Sequence, residues 1–129
     1  MKIFLQNSYG WGDKINFADE NNVSLGYNLG QDRCEYADWF IDDTPWQTRL
    51  PKNISDYQKT EGYDGWLFDT NFQVLIGSHK DLDEGGRAIF KITKDGTDKY
   101  IHIFNDHNGD YAHGFNFTIG ETVLEKGIL

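Results

Sequence analysis

The sequence holds a single cysteine, Cys34, so no internal disulfide can form and nothing in it calls for an oxidising compartment. Prolines are scarce as well: only Pro45 and Pro51 occur, and no Pro-rich linker, internal repeat or low-complexity tract divides the chain. Long apolar runs are missing. The N-terminus offers only Ile3-Phe4-Leu5, far short of a signal-peptide core, and no window approaches the roughly 20 apolar residues of a membrane helix. Positive charge is in deficit: 12 Lys and Arg against 21 Asp and Glu give a formal charge of -9. That balance argues against a generic phosphate-backbone binder and against docking on an anionic membrane. Enzyme signatures are absent too. There is no Gly-x-Ser-x-Gly elbow, phosphate loop or dinucleotide fingerprint.

Aromatic residues and glycine are plentiful. Four Trp, seven Tyr, nine Phe and 14 Gly in 129 residues suit a single domain of sheets joined by tight turns. Residues 2–5, 23–29, 35–41, 66–76 and 121–125 have strand character, with a possible turn at Asp69-Thr70-Asn71 and a helical alternative at 37–41. Residues 42–60 read as a long surface loop with a short helix near 55–59. The clearest stretch is 87–119, where Asp95-Gly96 and Asn108-Gly109 are strong hairpin signals. The expectation is a mainly β fold, a curled antiparallel sheet or small sandwich, ending in a three-stranded meander.

Two groups of residues carry candidate chemistry. In either hairpin register at Asn108-Gly109, period-two alternation points His102 and His113 to one face. Two imidazoles so placed suit a zinc ion, with Cys34 and His79 as further ligands, in a structural or hydrolytic site. The competing reading makes both histidines members of an aromatic stripe, since Tyr100, Phe104, Tyr111 and Phe115 flank them. His107 and its acidic neighbours lack the calcium-loop order and read as turn chemistry. The second group is acidic. Asp32, Glu35, Asp38, Asp42 and Asp43 interleave with Tyr36, Trp39 and Phe40. Carboxylates can stand where phosphates would, and rings such as Trp39 offer stacking surface. Such a face suits a protein partner with a basic surface, and its competing reading is a solvated strand edge with its rings turned inward.

Residues 23–41, with Cys34-Glu35 followed by Trp39-Phe40, resemble a loose group of small proteins from phages and mobile elements of low-GC bacteria. The run His107-Asn108-Gly109 to His113-Gly114-Phe115 carries the same resemblance. It implies a protein of the bacterial host cytoplasm that inhibits a defence effector, in the manner of anti-CRISPR proteins. The partner implied is a CRISPR effector nuclease, bound directly and without contact to nucleic acid. A toxin-neutralising immunity protein shares the same size and acidity.

Overall fold

A computed structural model describes residues 1–8, 12–30, 36–45, 50–77, 84–107 and 113–129. They form two antiparallel sheets that do not close into a barrel. The first contains β1 (Lys2–Ser8), β2 (Gly12–Ala18), β3 (Val23–Asn28), β9 (Gly114–Ile119) and β10 (Thr122–Ile128), in that spatial order. The second runs β4 (Tyr36–Asp42), β8 (Thr97–His107), β7 (Glu84–Lys94), β5 (Leu67–Phe68), and β6 (Leu75–Gly77) also pairs with β7. One short 3-10 turn, Ile54–Tyr57, interrupts the long loop. No helix among the described residues is long and apolar enough to cross a membrane.

Alternation explains how the sheets meet. Ile15 and Phe17, Leu25 and Tyr27, and Phe115 and Phe117 face inward from the first sheet. Trp39 and Ile41, Phe90 and Ile92, and Ile101 and Ile103 meet them from the second. Edge-to-face rings join the layers: Phe17 to Trp39 at 5.4 Å, Phe90 to Phe117 at 5.0 Å and Phe68 to Phe117 at 5.0 Å between centroids. Such pairs favour one arrangement of the sheets over others of equal buried area. Polar ties add to them. The Tyr27 hydroxyl donates to the Phe104 carbonyl at 2.8 Å, and Asp19 accepts from Val23 N–H and Phe68 N–H, one in each sheet.

The expected hairpin at Asp95-Gly96 is present. Asp95 and Gly96 take φ of 52° and 79°, and β7 pairs with β8 from Lys94–Thr97 out to Glu84–His107. The expected third strand of the meander is not. β8 pairs with β4 and β7, whereas β9 joins β3 and β10 in the other sheet. Phe115 and Phe117 cover the opposite side of the core, which they could not do as neighbours of Ile101 and Ile103. The Asn108-Gly109 pair lies outside the described residues.

Candidate functional site

β4 is an edge strand, and its two faces have different work. Trp39 and Ile41 point into the core, while Tyr36, Asp38, Phe40 and Asp42 occupy the outward face. Phe40 and Phe104 form a small second apolar cluster there, covered by Leu50 and Ile54 of the long loop. That cover keeps the outward rings from water, and Gln58 fixes it by donating to the Asp38 carboxylate at 2.6 Å and the Trp39 carbonyl at 2.8 Å.

Around the cluster lie the carboxylates. Asp38 also accepts from the Tyr36 hydroxyl at 2.9 Å. Asp42 is half-buried, and Asp43, just beyond the strand, is exposed and holds Lys99 at 2.8 Å. An exposed pair of this kind adds about 0–1 kcal/mol to stability. Lys99 has its pKa raised first by that bond. Tyr36 sits opposite Asp106 in the register, so a fourth carboxylate borders the same face. Burial, then the Asp38 charge, then the hydrogen bond to Asp38 push the Tyr36 hydroxyl up to about 12. The cations Arg87 and Lys91 sit on β7, beyond β8 from the edge.

Of the acidic group foreseen from sequence, Asp38 and Asp42 lie on the outward face of β4 with Asp43 just beyond it, and Asp106 borders the strand's other end opposite Tyr36. Trp39 does not: it is 5% exposed and packs edge-on against Phe17. Asp32 and Glu35 lie outside the described residues. Asp106 was hidden in a tract that reads as turn chemistry, and only strand pairing brings it to Tyr36.

The histidines part company. His102 stacks flat on Phe40, with centroids 4.4 Å apart, and its Nε2 donates to the Thr44 carbonyl at 3.1 Å. His113 lies beside Tyr27, and its Nδ1 donates to the Asn28 carbonyl at 2.7 Å. A carbonyl can only accept, so each ring carries its proton on the nitrogen named. His102 thus belongs to the outward cluster of the second sheet and His113 to the end of the first. They do not share a hairpin face. Cys34 and His79 lie outside the described residues, and no group of three or more His, Cys, Asp or Glu among the described residues is placed to hold a metal ion.

The first sheet presents a second feature, which the sequence reading missed. Its outward face is hollowed into a groove of about 540 Å³ over β2, β3, β9 and β10. Lys14, Asn28, Asn116, Lys126 and Ile128 line it, with glycines between them. Its signal in the sequence was the polar half of each alternation, Lys14/Asn16, Gly26/Asn28 and Gly114/Asn116, which reads as ordinary solvated surface. No protein-family model, curated protein or solved structure matches the chain.

Proposed function

We propose that this chain is a small acidic protein that works by binding a partner with a basic surface, and that the partner is a nucleic-acid-binding defence effector of the CRISPR nuclease kind. The observation that carries the reading is the line of Asp106, Asp38, Asp42 and Asp43 spread along the outward side of one edge strand. Effectors of this class hold their nucleic acid in a positively charged channel. A row of carboxylates beside the exposed Tyr36 ring offers that channel a substitute for phosphates and a base. Charge of opposite sign speeds the encounter and disfavours acidic competitors. The aromatic ring supplies the apolar anchor that such charges lack.

The test is target-DNA cleavage by a panel of guide-loaded Cas-type nucleases, with and without the chain. Inhibition is expected at low salt, falling as ionic strength rises. The triple variant Asp38→Asn/Asp42→Asn/Asp43→Asn should inhibit less and show a flatter salt dependence. Cleavage unchanged across the panel, or equal inhibition by the triple variant, would overturn the proposal.

A further inference from the structure

We propose that the groove on the outward face of the first sheet is a second binding site, and that its ligand is an acidic oligosaccharide bearing uronate groups. This rests on the groove alone and not on the acidic edge, which belongs to the other sheet. Three cross-strand neighbours set its floor: Gly26, Asn116 and Lys126 align across β3, β9 and β10. Gly26 matters because it has no side chain. A Cβ there would collide with Cε of Lys14, so the Lys14 chain leans across β3 and carries its ammonium towards the middle of the groove.

The lining has the opposite sign to the molecule. In a chain of net charge -9, no carboxylate among the described residues lines this groove, and two ammoniums, Lys14 and Lys126, do. Among the described residues neither has an acidic partner, whereas Lys91 and Lys99 each do. Uncompensated cations in a concavity favour an anion there. The amides decide what kind. Asn28 uses its Oδ1 on Gly30 N–H, which leaves its NH2 to donate, and Asn116 makes no side-chain hydrogen bond among the described residues. Primary amides both donate and accept, which matches sugar hydroxyls.

Other anions fit less well. Single-stranded nucleic acid needs rings on which bases stack, and among the described residues the one ring lining the groove, Phe115, is buried. An acidic peptide adding as a strand would pair along the edge of β10, whereas the groove lies on the sheet face over β2, β3, β9 and β10. The strands bearing the two lysines are three spacings apart, about 14 Å. Because the Lys14 ammonium reaches over β3, the two charges stand about two spacings apart, roughly 10 Å, and a linear chain of sugar rings with a carboxylate on each would offer charges at intervals along that span. Ile128, at 72% exposure, adds an apolar wall for the ring faces.

The experiment is an amide-resolved NMR titration of the intact chain with an oligogalacturonate, the matching neutral oligogalactoside, inorganic phosphate and oligo-dT. The expected result is saturable shifts confined to β2, β3, β9 and β10 with the oligogalacturonate, and none of that strength with the other three. Lys14→Gln and Lys126→Gln should each weaken binding by about tenfold, the loss of one charge-assisted hydrogen bond. Lys126 is exposed and Lys14 half-buried, and unchanged melting confirms that the variants are folded. No shifts, shifts outside this face, equal binding of the neutral sugar, or preference for phosphate or oligo-dT would each overturn the proposal.

Discussion

Replacing Trp39 by alanine separates the two faces of β4 by their energies. The indole is 5% exposed and sits edge-to-face on Phe17 of the opposite sheet, 5.4 Å between centroids. Removing a buried Trp costs about 3–5 kcal/mol, and losing the ring pair adds about 0.5–1.5 kcal/mol. A domain of this size holds only about 5–15 kcal/mol in all, so the variant should stand near the limit of folding. At about 3–5 °C per kcal/mol, melting should fall by 10 °C or more. The control is Tyr36→Phe on the same strand, which loses only the exposed bond to Asp38 and should cost under about 1 kcal/mol. Urea unfolding followed by far-ultraviolet circular dichroism measures both. A Trp39→Ala variant that unfolds within about 1 kcal/mol of the parent would place the indole on the surface and refute the inward assignment.

Tyr27→Phe removes the hydroxyl that donates to the Phe104 carbonyl between the sheets, and should cost about 1–3 kcal/mol in the same assay; no change would mean that this bond does not hold the layers together. Alkaline titration provides another check. Tyr27, Tyr36 and Tyr63 all have raised hydroxyl pKa values, burial being the first cause in each. A raised folded-state value favours the neutral phenol, so this stabilisation is complete below the ordinary value of about 10 and is lost as pH rises through the folded-state values, about 12 for Tyr36. Absorbance of phenolate should therefore show at least these three of the seven tyrosines ionising late in the native chain and normally in denaturant; seven normal tyrosines would contradict the packing.

Local chemistry made part of this fold legible. Asp95-Gly96 announced the long β7–β8 hairpin because positive φ is required at both positions and few residues accept it. Asp69-Thr70-Asn71 likewise separates β5 from β6. The strands at 23–29 and 35–41 were within a residue of β3 and β4. What failed was the choice of partner. A period-two pattern states that Phe115 and Phe117 share a face, but not which sheet that face closes, so β9 was assigned beside β8 when it belongs beside β3. The histidine pairing fell with that assignment. β2 was missed because Lys14, Asn16 and Ala18 dilute Ile15 and Phe17, although the alternation is regular. For the acidic segment, sequence proximity names Asp38, Asp42 and Asp43, and the structure places Asp38 and Asp42 on the outward side of β4 with Asp43 just beyond it. Proximity could not tell that Trp39, between them in sequence, turns the other way, or that Asp106 arrives from β8.

Hydrogen exchange across the described strands, with and without a guide-loaded effector nuclease that the chain inhibits, tests the central claim most directly. Protection gained along β4, residues 36–42, and at Asp43 and Asp106, with β9 and β10 unchanged, is the predicted result. Protection confined to the first sheet, or none at all, would contradict the account.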